Sequence, residues 1–344
     1  MEEGLRVRFW GTRGSMAAPY RDRMEFGGNT SCVSVDWPEG IAVFDGGTGI
    51  MELGNRLKEA KSNGLLKKDS VVHIFVSHLH MDHIAGLFMF PCLFEKEMEV
   101  ELYGPCGQGR SFRERFWAAM DQPFWPVTMA QTAAGITWHD TKDGDIWNLP
   151  GEVMVRVMKS NHPNGCVIYR LERKKQSVVY GLDCELGEGD GEFRRKYEEF
   201  ADGCDILIFD APYDKKEYKD VIGFGHSFWQ QGVETAKECN VKRLYISHHE
   251  WGRTDRQLED MEREAQAQVQ VTQAGKWNGS VSFAREGTCV SLEEAGGEGV
   301  AREGACVSPE EAGGEIITRE RASIRPGEEE ESEEKEGGSE SNEE

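Results

Sequence analysis

Three observations predict an α/β fold for this chain: short apolar, β-branched runs recur along it, glycine-rich turns separate them, and several runs end at a histidine or an aspartate. Folds of this class assemble their chemistry in loops beyond the strand ends. The run Val71-Val72-His73-Ile74-Phe75-Val76 has the character of a buried strand ending at Ser77. Directly after it, Ser77-His78-Leu79-His80-Met81-Asp82-His83 packs three imidazoles and a carboxylate into six consecutive positions. Burying so many ionisable groups without a cation carries a large desolvation cost, so the pattern predicts a metal site. Such nitrogen and oxygen donors suit zinc, with iron or manganese as looser fits, and their spacing can feed two ions.

Later strands each deliver one candidate. His162 follows the alternating run 153–157 through Ser160-Asn161, Asp183 follows run 177–182, and His248 and His249 follow run 242–247. Taken singly, each is as readily an ordinary loop residue. Together they can reach one strand-end pocket.

Further motifs occur in a specific order. Phe9-Trp10-Gly11-Thr12-Arg13-Gly14-Ser15, Gly27-Gly28-Asn29-Thr30-Ser31-Cys32 and Phe44-Asp45-Gly46-Gly47-Thr48-Gly49 precede the histidine cluster. Asp205-Ile206-Leu207-Ile208-Phe209-Asp210-Ala211, Gly225-His226-Ser227 and Ser247-His248-His249 follow it. In this order the motifs resemble the metallo-β-lactamase fold hydrolases over about residues 5 to 255. Within them they resemble the phosphodiesterase branch that contains ribonuclease Z and the cyclic-phosphodiesterase-like proteins.

The resemblance implies a four-layered αββα sandwich and two divalent metal ions. His78, His80 and His162 would hold one ion, Asp82, His83 and His248 the other, and Asp183 would bridge them. The family's single histidine at the last strand end matches His248 and not His249. Asp45 resembles a buried acid that orients a ligand histidine, although an aspartate before two glycines also suits a turn. His226 matches a histidine that protonates the leaving alkoxide or holds the phosphoryl group, and Asp210 would fix its tautomer. Asp82, His226 and Asp210 are thus expected at the reacting centre. Ser227 also reads as an N-cap for a helix beginning near Phe228.

The expected reaction is hydrolysis of a small phosphodiester, a cyclic nucleotide or cyclic phosphate, by a water activated between the two ions. An acyl hydrolase acting on thioesters or lactones, or a ribonuclease Z-type nuclease, is the alternative. Only 20 residues separate His162 from Asp183, and 42 separate Asp183 from His226. No insertion there matches the long arm with which ribonuclease Z proteins hold tRNA. Charge agrees: residues 285–344 carry 19 Glu against six Lys and Arg, so −13 of the net −22 lies there and −9 on the remainder. A long nucleic acid calls for a basic face, which the sequence lacks.

Residues 88–150 are rich in aromatics, which either pack a helix on the sheet or wall the cleft for a flat group. Arg13 and Asn29 either bind a phosphate oxygen or fasten glycine-rich loops. Domain limits are expected at 1–283 for the catalytic domain and 284–344 for a disordered, Glu-rich tail, in which Arg285-Glu286-Gly287-Thr288-Cys289-Val290-Ser291 recurs at Arg302-Glu303-Gly304-Ala305-Cys306-Val307-Ser308. Nine scattered cysteines without C-x-x-C spacing suggest reduced thiols. The absence of an 18-residue apolar stretch or signal peptide suggests a cytoplasmic protein off the membrane; a homodimer is left open.

Overall fold

The computed structural model describes residues 4–292 and 303–305, apart from 67–69, 122, 128–130, 188–190 and 273–276, with backbone alone for 270–272 and 303–305. The first half runs β1 (Arg6–Gly11), β2 (Cys32–Trp37), β3 (Gly40–Phe44), α1 (Ile50–Ser62), β4 (Val71–Phe75), α2 (Met81–Ile84), β5 (Glu99–Pro105), α3 (Phe112–Ala119) and β6 (Gly135–Thr141). The second runs β7 (Ile146–Leu149), β8 (Val153–Lys159), β9 (Val167–Arg173), β10 (Gln176–Gly181), α4 (Glu192–Ala201), β11 (Ile206–Asp210), α5 (Lys215–Tyr218), α6 (Trp229–Glu238), β12 (Arg243–Ser247), α7 (Asp255–Thr272) and β13 (Ser280–Phe283). Strands β14 (Thr288–Ser291) and β15 (Glu303–Ala305) close the described chain.

Two mixed sheets result. The first has the order β15-β14-β1-β2-β3-β4-β5-β6, and the second β13-β12-β11-β10-β9-β8-β7. Alternation of apolar residues drives them together: Val7, Phe9, Val35, Phe44 and Phe75 of the first sheet share a buried cluster with Val155, Tyr169, Val178, Tyr180 and Ile208 of the second. Helices cover the outer faces. Val179, Leu207 and Ile246 meet Val233, Ala236 and Leu258 on one side, while Val43, Ile74 and Leu102 meet Leu53, Leu57 and Phe116 on the other.

Parallel pairing decides where the site forms. Phe44 pairs with Phe75 across β3 and β4, so Asp45 and Ser77 leave the first sheet together. Gly181 pairs with Phe209, and Asp210 with Ser247, so the ends of β10, β11 and β12 also meet. Neighbouring carboxyl ends of parallel strands form the crevice where α/β sheets place ligands.

Two expectations change here. The catalytic domain does not stop at 283, nor does the tail begin at 284. Ala284 is fully buried, β14 pairs with β1 from Arg6↔Ser291 to Arg8↔Cys289, and Gln176 donates to the Leu292 carbonyl at 2.7 Å. Glu286 meanwhile accepts from both nitrogens of Asn29. A Glu-rich duplicated stretch hides this strand because a short strand needs only a few alternating apolar residues, here Val290 and Leu292, to seat one face in the core. Residues 306–344, with most of the expected tail, lie outside the described residues.

Cys289 is disulfide-bonded, against the expectation of reduced thiols, whereas Cys32, Cys92, Cys106, Cys166, Cys184, Cys204 and Cys239 are free. The aromatics of 88–150 mostly pack: Phe88, Phe90, Phe112 and Phe116 are buried against the first sheet, and Trp117 and Phe124 are exposed. Among the described residues, no helix is long and apolar enough to cross a membrane.

Candidate metal centre

Strand β4 ends at Phe75, and the chain then runs extended to His80 before turning into the four-residue α2. This short turn puts Asp82 and His83 beside His78 and His80 without help from distant sequence. The second sheet adds His162 after β8, Asp183 after β10 and His248 after β12. Asp45, Asp183 and His248 adopt left-handed backbone with φ of 60°, 53° and 61°. Such a conformation costs a non-glycine residue about 1 kcal/mol or more and persists where the surroundings enforce it.

The donor atoms of the expected ligands converge in two groups, and a third, overlapping set joins Asp183 and His248 to His226. In one, His80 Nδ1 is 3.2 Å from His162 Nε2, and Asp183 Oδ1 is 3.7 Å from His78 Nε2 and 3.6 Å from His162 Nε2. In the other, Asp82 Oδ2 is 3.2 Å from both His83 Nε2 and His248 Nε2, which are 3.3 Å apart. Asp183 Oδ2 lies 3.0 Å from His83 Nε2 and 3.4 Å from His248 Nε2, so its two oxygens face different groups. Bonds of 2.0–2.1 Å to a tetrahedral ion place neighbouring donors roughly 3.3 Å apart, which these separations approach. His78 Nε2 and Asp183 Oδ2 are buried without a hydrogen-bond partner, as ligands awaiting a cation would be. The residues therefore fit two divalent ions.

Electrostatics fits the same reading. Burial pushes His78, His80 and His162 below the ordinary histidine value, favouring the neutral imidazole that a metal needs. His83 differs: burial opposes its charge, yet the carboxylates of Asp183, Asp82 and Asp45 overcome it and hold the ring well above its usual value, so a cation bound there would displace the proton from Nε2. Asp183 and Asp82 are conversely held below the carboxylate range, because the facing imidazoles outweigh their burial.

Asp45 is more than a turn residue. Its carboxylate accepts from His83 Nδ1–H at 2.6 Å, from Ser77 N–H at 2.6 Å and hydroxyl at 2.8 Å, and from Tyr180 OH at 2.8 Å. With Nδ1 protonated, Nε2 of His83 is left as the donor atom facing the site. Sequence reasoning saw Asp45 but not Ser77 or Tyr180, whose roles appear only when the sheets meet.

His248 and His249 part company. His248 enters the cluster, whereas His249 hydrogen-bonds the Ala284 carbonyl at 2.8 Å, stacks on Phe283 and sits edge-on to Phe26. Burial and the cations Arg13 and Arg285 push His249 down to about 3 despite that carbonyl, so it is a neutral core histidine. Gly14 packs so tightly that a Cβ there would lie 2.3 Å from the His248 ring.

His226 Nδ1 is 3.0 Å from Asp210 Oδ2 and 3.9 Å from Asp183 Oδ1. Burial lowers its pKa, but the Asp210 carboxylate more than compensates and raises it to about 9. In the metal-free protein the Asp210 carboxylate thus favours the protonated ring beside the cleft. Ser227 is not the expected N-cap: α6 starts after Phe228, and the Ser227 hydroxyl bonds the Cys184 carbonyl and the Leu186 N–H instead.

A cleft of about 300 Å³ lies over the cluster, lined by Ser15, His80, Met81, Asp82, Asp183, His226 and His248. Ser15 was not expected to act there, yet its backbone N–H donates to Asp82 Oδ2 at 2.7 Å. Arg13 and Asn29 fasten loops. The guanidinium is fully buried on the carbonyls of Gly27, Arg253 and Arg23, and the Asn29 amide bonds Glu286 and Thr48.

These are the features of a metallohydrolase built between two sheets, and comparison with known proteins agrees. The model of the β-lactamase superfamily domain matches residues 42–249, and the chain belongs to that superfamily. Ribonuclease Z of Brevibacillus brevis is 27% identical over 263 residues, covering 64% of this chain and 82% of the relative. Ribonuclease Z of Thermoplasma acidophilum is 23% identical, covering 77% and 94%. Among solved structures, the metallo-β-lactamase fold protein YhfI of Bacillus subtilis superposes with a TM-score of 0.58 at 17% identity, covering 84% of this chain and all of that one.

Proposed function

We propose that this protein hydrolyses a small phosphodiester with the help of two divalent ions, zinc being the best match to the donors. One ion would be held by His78, His80 and His162, the other by Asp82, His83 and His248, with Asp183 between them. When bound, such ions lower the pKa of a coordinated water toward neutrality and offset charge on phosphoryl oxygens. The chain's own part is general acid chemistry. His226, kept protonated by Asp210, donates from its free Nε2–H to the leaving alkoxide.

The observation that carries this reading is the His226–Asp210 pair beside Asp183, a proton donor that an oxygen leaving group needs. The cleft lining supports a small monoanionic diester, because among the described residues it includes no lysine or arginine to grip a polyanion. A second reading, cleavage of RNA, is favoured by the name ribonuclease Z on the relatives.

The test is a panel of an aryl phosphodiester, cyclic nucleotides, a precursor tRNA and a thioester, run on His226→Ala as well. We expect the aryl diester and then cyclic phosphates to turn over. His226→Ala should keep its metals yet lose about 10²–10⁴ in kcat on poor leaving groups, and much less on the aryl ester, which departs without a proton. Preferred cleavage of the tRNA would establish the second reading. A faster thioester, or an indifferent His226→Ala, would point to acyl hydrolysis.

A further inference from the structure

Two residues beyond Asp183, the side chain of Glu185 is buried, and among the described residues no lysine or arginine pairs with it. Its charge is met by hydrogen-bond donors alone. Tyr218 OH donates to Oε1 at 2.8 Å, Gly223 N–H lies 3.0 Å from both oxygens, and Gly225 N–H donates to Oε2 at 2.9 Å. All three donors belong to the stretch that runs from Tyr218, the last residue of α5, to His226. Tying down a loop does not by itself require an ion, and a buried carboxylate is costly unless donors saturate it.

The loop so held does two things at the site. Gly225 has φ +91°, and a Cβ on it would lie 2.2 Å from His162 Nδ1. That approach lets the Gly225 carbonyl accept the His162 Nδ1–H at 3.0 Å, leaving Nε2 to face Asp183. The next residue is His226. Gly225 therefore has its N–H on Glu185 and its carbonyl on a site histidine, and the general acid follows it directly. Glu185 is also joined to the His162 loop directly, through its N–H to the Asn161 carbonyl at 3.1 Å and the Asn161 amide to its own carbonyl at 2.8 Å.

We propose that Glu185 is a positioning residue, whose carboxylate holds the Gly223–Gly225 backbone where it orients His162 and delivers His226 to the leaving group. The part concerning His226 rests on the function proposed above; the part concerning His162 does not.

The test uses the full chain at saturating Zn²⁺. Glu185→Gln keeps the shape but turns an amide NH2 toward donors. We expect kcat to fall about 10–100-fold on a diester with a poor leaving group and little on an aryl diester, with weaker zinc binding by about the same factor, the range for partners of metal ligands. The double variant with His226→Ala should be no slower than His226→Ala alone. An equal kcat loss on both substrates, an additive double variant, or unchanged kinetics would overturn the proposal. If Glu185→Gln does not fold, Tyr218→Phe removes one donor and should show a smaller loss with the same selectivity; no selectivity overturns it. If His226→Ala is itself indifferent, the proposed reaction falls, and zinc affinity alone decides: unchanged affinity in Glu185→Gln overturns the orienting role.

Discussion

The first sheet supplies its donors from one stretch of chain, whereas the second supplies one residue per strand end. His78, His80, Asp82 and His83 fall within six positions, and Asp45 joins them through the parallel pairing of β3 with β4. His162, Asp183, Asp210, His226 and His248 come from five separate loops or strand ends, aligned by the β10, β11 and β12 registers. The contiguous half is set by local turn geometry. The dispersed half exists only while the sheet holds its register, so damage to it should reach further.

The largest effect is expected at Asp183, whose two oxygens face both donor groups. Asp183→Ala should lose more than about 10³ in kcat/KM, beyond the cost of one electrostatic donor, with metal analysis showing fewer than two bound ions. If the variant keeps both ions and most activity, the second sheet does not join the two groups.

A second prediction tests the expected domain limit with a chain that ends at Ala284. That truncation removes β14 and Glu286, and with them the β1 edge pairing and the anchor of the Asn29 loop. At about 1 kcal/mol per lost hydrogen bond, several kcal/mol of stability should go, readable as a fall in Tm of ten degrees or more. An unchanged melting curve would return the boundary to 284.

On the first sheet, Asp45→Asn should act on His83 directly and on His78 only through Ser77, weakening zinc binding about 10–100-fold, chiefly at the ion that His83 would hold. Comparable loss of both ions would blur the contrast between the halves.

The smallest effect is a titration. His226 should hold its proton in the metal-free protein until pH rises past about 9, above the ordinary histidine value of about 6.5, and NMR of its ring would show this. Bound divalent ions should lower that midpoint, since like charge opposes the imidazolium. A metal-free midpoint near 6.5 would mean that Asp210 does not control the ring.

The sequence by itself determined what depends on neighbours along the chain: the strand before Ser77, the histidine cluster after it, and the strand-end placement of His162, Asp183 and His248. It also singled out Asp45, Asp210 and His226, through the resemblance their order carries. It misjudged what depends on long-range pairing. Cys289 and Val290 sit in a Glu-rich duplicated stretch whose composition suggests nothing ordered, yet β1 offers them an edge. Ser227 looks like a helix cap but finds the Cys184 carbonyl closer to hand. The resemblance favours His248 over His249, adjacent and identical in type, but only the tertiary structure supplies the physical reason: one faces the carboxylates, and the other is held by the Ala284 carbonyl between Phe26 and Phe283. Glu185 was equally silent in the sequence. A carboxylate reveals its role by what it accepts, and its three donors lie 33 to 40 residues away, brought within hydrogen-bond reach only by the folded chain.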